Sequence, residues 1–336
     1  MNRHILIDGN NLLHRAFHVF VVDENGLIPR NSRFASDSGY PTGMIYGPLS
    51  MLADWLPHLG RFNAVHFFND GIPARRLAMD PAYKQKELDR VSLSNLPDCP
   101  ITLADGFEAK GQVSVLLHVL QLLGVNTYWN ANEEADDLIA SFVKAHQDDV
   151  HVVVSSDKDF FPLLENPRVV VYRPGSNGPR LLDAEGAEQH WATLNKGNHP
   201  PVPVSHVRMF KSLCGDGSDG IVGVPRLRKK IAVKVTGYPN VEKLAADDWP
   251  EFSATERQHA RELVDRIKLN WQLVGLIDDL QVEPLQGVCP NPATAARILN
   301  DLNIGLDMSF LTPGQERVRT ADVPVKVLGD DWMNSI

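Results

Sequence analysis

Asp8, Asp70, the run Glu134-Ala135-Asp136-Asp137, the run Ser156-Asp157-Lys158-Asp159, and the pair Asp216 and Asp219 place nine carboxylates in five separate segments. Carboxylate oxygens suit hard divalent cations, so convergence of these segments would build a pocket for such ions. Any one acid at a strand end or helix start could merely cap the helix and favour its dipole. The set behaves differently, because two carboxylates about 6 Å apart repel by roughly 3 kcal/mol at an effective dielectric near 20. Cations would relieve that repulsion. Ions about 4 Å apart could then activate a water and stabilise the leaving oxygen of a phosphodiester, so metal-assisted hydrolysis is the chemistry indicated. Spacing groups the acids further: Glu134 and Asp137 share a helix face, and Asp157 and Asp159 project to one side of an extended segment. Glu133 reads as solvated.

Two basic constellations accompany the acids. Arg75, Arg76, Lys84 and Lys86 follow Asp70, with Tyr83 beside Lys84; phosphates attract such cations and a tyrosine can stack on a base. The alternative for the arginines and Lys86 is an ordinary solvated face. Later, Gly215-Asp216-Gly217-Ser218-Asp219-Gly220 leads through Gly223 to Arg226, Arg228, Lys229, Lys230 and Lys234. A glycine-rich turn can offer backbone amides to a phosphate, and the basic stretch fits a nucleic-acid backbone.

The elements that must position these residues alternate. His4–Ile7 reads as a buried strand ending at Asp8-Gly9, with Asn10-Asn11 opening a helix. Phe62–Phe68, Val125–Trp129 and Val150–Val154 read as further strands. Helical periods run over Tyr46–Leu56, Gly111–Leu123 and Glu134–Ala145. The fold class expected is α/β, a mostly parallel sheet with helices on both faces, whose ligands bind beyond the carboxyl ends of the strands. The Pro-, Gly- and His-rich segment 195–204 suggests a boundary to a helical part with patterns over Arg208–Leu213, Lys229–Val235 and Thr255–Trp271. This gives a catalytic domain over 1–200, a helical domain over 201–290 and a weakly patterned extension over 291–336. The polar, Pro-broken stretch 84–107 is long for a connection in such a fold.

With 336 residues and 43% hydrophobic content, the chain can bury a sizeable core, which excludes disorder as the default. A net charge of −9 means that any nucleic-acid surface must be local. Cys99, Cys214 and Cys289 form no CxxC pair, which excludes a cysteine zinc site and fits a reducing cytoplasm. No apolar run suits a signal peptide or a membrane span. His14 and His18 lack the glutamate of the metalloprotease motif, and no G-x-S-x-G or Walker A sequence is present.

Taken in order, Ile7-Asp8-Gly9-Asn10-Asn11, Asp70 before a basic stretch and Tyr83-Lys84, Glu134-Ala135-Asp136-Asp137, Ser156-Asp157-Lys158-Asp159, and Gly215-Asp216 through Gly223-Val224 resemble the flap endonuclease, or 5′-nuclease, family, most of all its bacteriophage 5′-3′ exonucleases and phage ribonuclease H enzymes. The likeness covers roughly residues 3 to 280. It implies a PIN-like core and two magnesium ions, replaceable by manganese, held directly or through water by Asp8, Asp70, Glu134, Asp136, Asp157, Asp159, Asp216 and Asp219, with Asp137 in an outer position. It also implies that Lys84 contacts the scissile phosphate at the base of a helical arch over 84–107, and that the second domain binds duplex through a helix-hairpin-helix, with potassium in its turn. The expected substrates are flap, forked or 5′-ended DNA and RNA–DNA hybrids, cut by a monomer in replication or repair.

The sequence departs from the family at the hairpin, where Arg226-Leu227-Arg228 replaces the usual Gly-Ile-Gly and Gly220 takes the common Asn position, and after Tyr-Lys, where Glu87 follows Lys86. The added arginines could hold phosphate by side chain instead. A PIN-class ribonuclease is the alternative enzyme, although a minimal one lacks Asp216, Asp219 and the hairpin domain. A non-catalytic DNA-structure-binding protein is the alternative outside enzymes.

Overall fold

The structure is a computed structural model and describes residues 1–21, 34–84, 109–175, 178–193, 201–225, 238, 240–246 and 252–311. Continuous apolar runs make its central strands. In β1 (Arg3–Asp8), Ile5, Leu6 and Ile7 are all fully buried, as a parallel strand covered on both faces requires. It pairs in parallel with β2 (Ala64–Asn69) on one side and with β4 (Val150–Val154) on the other. Outside β2 lies β3 (Asn126–Trp129), and outside β4 lie parallel β5 (Val169–Arg173) and antiparallel β6 (Arg180–Leu182). The order β3-β2-β1-β4-β5-β6 reverses direction between β1 and β4. That switch point is where open α/β sheets leave a crevice beyond the strand ends.

Alternation of side chains divides the core between the two faces. Ile5, Ile7, Val65 and Phe67 pack with α1 (Gly9–Phe20), α2 (Gly43–Trp55) and α4 (Ala109–Leu122), while Leu6, Phe68, Val153 and Val171 pack with α5 (Ala135–Ala145). A short α3 (Ala74–Met79) follows β2. Gly9 is required where α1 starts, because a Cβ there would stand 2.4 Å from the Phe68 carbonyl oxygen. The strands and helices expected between residues 4 and 154 are all present, with ends shifted by a few residues.

Several elements lie beyond those expected. β5, β6 and α6 (Ala184–Thr193) were not indicated by the sequence, and the helix expected over Thr255–Trp271 is two, α9 (Ala254–Glu262) and α10 (Val264–Leu273), broken at Leu263. Together with α7 (Val207–Cys214) and α8 (Val241–Ala246), they bury Val207, Phe210, Leu244, Ala260 and Ile267 in the same core as α5 and the sheet. The helical part and the sheet thus share one core. The third segment also packs inward: α11 (Pro292–Asp301) places Ala295 and Leu299, followed by Ile304, Met308 and Leu311, in the core against α4. Among the described residues, no helix is long and apolar enough to cross a membrane.

Candidate active site

One open cleft of about 340 Å³ beyond the strand ends is lined by Asp8, Asp70, Glu134, Asp136, Asp157, Asp159, Asp216 and Asp219, with Lys84, Lys158 and Lys211 among them. The five acidic segments therefore converge.

Asp8 ends β1 and is held from two sides. Its Oδ1 caps α1 by accepting the Asn11 N–H at 3.0 Å, and its Oδ2 accepts the Ser155 hydroxyl at 2.7 Å. Ser155 Oγ in turn accepts the Asp157 N–H at 3.0 Å, and Asp157 Oδ1 accepts that of Asp159 at 3.0 Å. Asn11 Oδ1 takes the Ser156 hydroxyl at 2.8 Å. These bonds fix the ends of β1 and β4 to each other. Asp70, just past β2, accepts the Ala135 N–H at 2.7 Å and so anchors the start of α5. Burial, with other acids adding to it, raises the carboxyls of Asp8 to about 6 and of Asp70 to about 7.

Glu134 precedes α5. Burial pushes its carboxyl up, but Lys84 and Arg76 outweigh that and hold it below its usual range. Lys84 Nζ donates to Glu134 Oε1 at 2.6 Å and lies 3.9 Å from Asp219. The Lys84 backbone is left-handed at φ 48°, a costly conformation for a lysine, and its N–H donates to the Asp219 carbonyl at 2.9 Å. Asp216 and Asp219 sit on a β-hairpin, β7 (Gly215–Asp216) and β8 (Ile221–Val222). Burial raises the Asp219 carboxyl to about 7.

Two side chains, Arg76 and Tyr83, stand elsewhere than the sequence reading puts them. Arg76 is 3% exposed, so it is no nucleic-acid contact: it bonds Glu134, both oxygens of Asp137, and the carbonyls of Leu273 and Gly275. Asp137 is fully buried beneath the cleft beside Glu134 and Asp136, where Arg76 and the Ile277 N–H occupy its oxygens, as the expected outer position requires. Tyr83 is also buried, its hydroxyl donating to Glu134 at 3.3 Å, so its ring cannot stack on a base. Gly223 is explained by packing, since a Cβ there would lie 2.2 Å from the Cys214 carbonyl carbon. Arg75 is exposed on α3, as a phosphate contact needs. Lys86, Arg226, Arg228, Lys229, Lys230, the helix Lys229–Val235 and nearly all of the 84–107 arch lie outside the described residues.

Lys211 was missed by sequence reasoning. It is 6% exposed on α7 and bonds Asp159 as well as Asp216 at 2.7 Å. The available signal was a lysine on the amphipathic stretch Val207 to Leu213, five residues before Asp216. Lys84 and Lys211 each supply an internal cation to a different carboxylate group. The donor set fits divalent cations: oxygens of Asp159, Asp216 and Asp219 lie within 4.8 Å of one another, and Glu134 and Asp136 are similarly close.

The chain is 26% identical over 244 residues to DNA polymerase I of Synechocystis, covering 71% of this chain and 22% of that protein. It is 27% identical over 251 residues to a 5′-3′ exonuclease of Buchnera aphidicola, covering 72% of this chain and 70% of that one. It therefore spans roughly a quarter of the polymerase relatives. In fold it resembles a bacteriophage T5 5′-exonuclease with bound zinc (TM-score 0.54, 17% identity, 90% of this chain and 96% of that one). A bacteriophage T5 flap endonuclease solved with DNA and metal ions is similar (TM-score 0.56, 17% identity, 89% of this chain and 93% of that one). The model of the 5′-3′ exonuclease N-terminal, resolvase-like domain matches residues 3–192, more than half of the chain, and this protein belongs to that family.

Proposed function

We propose that the protein is a divalent-metal-dependent, structure-specific 5′ nuclease that hydrolyses phosphodiester bonds in flap, forked or 5′-ended DNA and in RNA–DNA hybrids, acting as a monomer. The observation that carries the reading is the gathering of eight carboxylates and Lys84 in one cleft at the switch point of the sheet. Asp8, Asp70, Glu134 and Asp136 would hold one magnesium or manganese ion, and Asp157, Asp159, Asp216 and Asp219 a second. When bound, such ions supply positive charge that polarises the phosphodiester and makes water a better nucleophile.

The chain's own residues do the rest. Glu134 orients the Lys84 ammonium, and their pairing raises the lysine's pKa and keeps it charged, so it can neutralise a phosphate oxygen at the mouth of the cleft. Ser155 and Asn11 hold Asp8 and the Ser156–Asp157 turn in place, an arrangement of the kind that tunes ligand orientation. With water as the nucleophile, the reaction needs no covalent enzyme intermediate. The presence of Asp216 and Asp219 in the same cleft favours this reading over a minimal PIN-class ribonuclease. The test is a labelled 5′-flap oligonucleotide in magnesium, with and without chelator, cut by wild type and by Asp157→Asn. Cleavage that needs metal and is lost in the variant is expected; unchanged cleavage by the variant refutes the assignment.

A further inference from the structure

Beside Asp157, like charges are brought together where strand pairing argues against it. Arg173 ends β5 directly opposite Arg180 of β6 in the antiparallel register, and like charges at such positions destabilise a strand pair. The Arg173 guanidinium donates to the carbonyl of Ser156, the residue before Asp157, which sets it at the edge of the acidic cleft. Arg15, one residue after cleft-lining His14, reaches over from α1 and donates to the Pro174 carbonyl at 3.1 Å. Lys158 lines the cleft itself, its ammonium 5.7 Å from the centre of the Trp191 ring. Four cations from α1, the β4 end, β5 and β6 thus meet on one flank of the cleft.

Among the described residues, no carboxylate forms an ion pair with any of the four. The Arg173 guanidinium is held below its ordinary pKa by burial and by Arg15 and Arg180, with Asp157 the acid acting in the opposite direction. Such a cluster is stabilised by an anion that spans it, and a chain of phosphates has that form. Neither the acidic pocket nor the basic stretch after Gly223 includes Arg15, Arg173 or Arg180.

We propose that Arg15, Lys158, Arg173 and Arg180 form a phosphate track that grips the sugar-phosphate backbone of the substrate strand where it leaves the cleft past Asp157. The track rests on the nuclease reading for its ligand, and the test separates the two. Binding of a labelled 5′-flap oligonucleotide is followed by fluorescence anisotropy in calcium across a potassium chloride series, for wild type, the double variant Arg15→Gln with Arg180→Gln, and Arg297→Gln as a control on exposed α11. Two lost phosphate contacts reduce the slope of log K against log salt by about 1.5 and weaken binding by about tenfold or more, while the control matches wild type. Arg180→Gln also relieves the cross-strand repulsion, so its thermal midpoint is expected to equal or exceed that of wild type.

An unchanged slope and affinity in the double variant overturns the track, as does a lowered midpoint with normal affinity, which would make these arginines structural. Cleavage in magnesium, measured separately, keeps the readings apart. Normal cleavage with an unchanged salt slope sinks the track alone, and a reduced slope in a protein that never cleaves sinks the nuclease alone. Absence of binding by wild type sinks both.

Discussion

Replacing Arg76 by methionine isolates the buried charge network under the cleft. The guanidinium donates to Leu273 O at 2.9 Å, Glu134 Oε2 at 2.7 Å, Asp137 Oδ1 at 2.8 Å and Gly275 O at 3.0 Å, and also pairs with Asp137 Oδ2. Methionine fills much of the same volume and makes none of these bonds. Asp137 keeps only the Ile277 N–H for its buried charge, and two carbonyls lose their donor. Glu134 keeps Lys84 and Tyr83, so the uncompensated charge falls chiefly on Asp137. Breaking a buried ion pair on one side destabilises by about 3–5 kcal/mol. Urea unfolding of R76M at neutral pH, followed by circular dichroism, should show a loss of that size. The double variant R76M with Asp137→Leu removes the stranded charge together with its partner, and replacing both members of a buried pair by apolar groups is often near neutral. Its loss should be clearly smaller than that of R76M. A loss below about 1 kcal/mol in R76M, or a double variant as unstable as the sum of the two single variants, would refute the placement of Arg76 as an internal counter-charge.

Burial lowers the His66 imidazole to about 3, so it is neutral in the fold while the unfolded chain takes up a proton below about 6.5, and stability falls as pH drops through that window. Between pH 7 and pH 5, His66→Gln should lose about 2 kcal/mol less than wild type in urea unfolding; equal losses would show that His66 does not titrate this way. Leu299→Ala, at a position 4% exposed against α4, should cost about 2–4 kcal/mol, whereas a cost under about 1 kcal/mol would mean that α11 does not share the core. Chelation should lower the thermal midpoint without unfolding the chain, corresponding to about 3 kcal/mol if the free ion stood at a hundred times its dissociation constant; unfolding by chelator alone, read by circular dichroism, would show that the internal cations cannot hold the site together.

Residue type made the acids legible. Nine carboxylates at strand ends, a helix start and a turn have few apolar uses, and eight of them line the cleft. Strands β1, β2 and β4 were legible because a parallel strand buried on both faces reads as a near-continuous apolar run, interrupted here by His66 in β2 and His151 in β4. β5 carried the same kind of signal as β4, a short β-branched run from Val169 to Val171 followed by Tyr172, and sequence reasoning missed it. The break at Leu263 has no local sign, since neither Gly nor Pro marks it. The start of α11 did carry a signal, Asn291 capping before Pro292, but its amphipathic length is short. Least legible were the partners of the charges. Arg76 and Arg75 are adjacent in sequence and opposite in fate, because α3 turns one toward Asp137 and the other to solvent.

The site carries counter-charge of its own, and its sources differ. Arg76 arrives from α3 beneath Glu134 and Asp137, Lys84 from the turn after α3, and Lys211 from α7 across Asp159 and Asp216. Each cation pairs with two carboxylates on other elements, so it holds those elements together and lessens the repulsion of the cluster. Three cations against nine carboxylates still leave an excess, and it falls on Asp8, Asp70, Asp136 and Asp157, none of which has an ion pair among the described residues. Burial raises the carboxyls of Asp8, Asp70 and Asp136, as it does that of the paired Asp219, so in the metal-free fold these acids surrender charge to protons readily. The paired acids are held in place by internal cations, and the unpaired ones leave the cleft an excess of negative charge of the kind that a divalent ion would relieve.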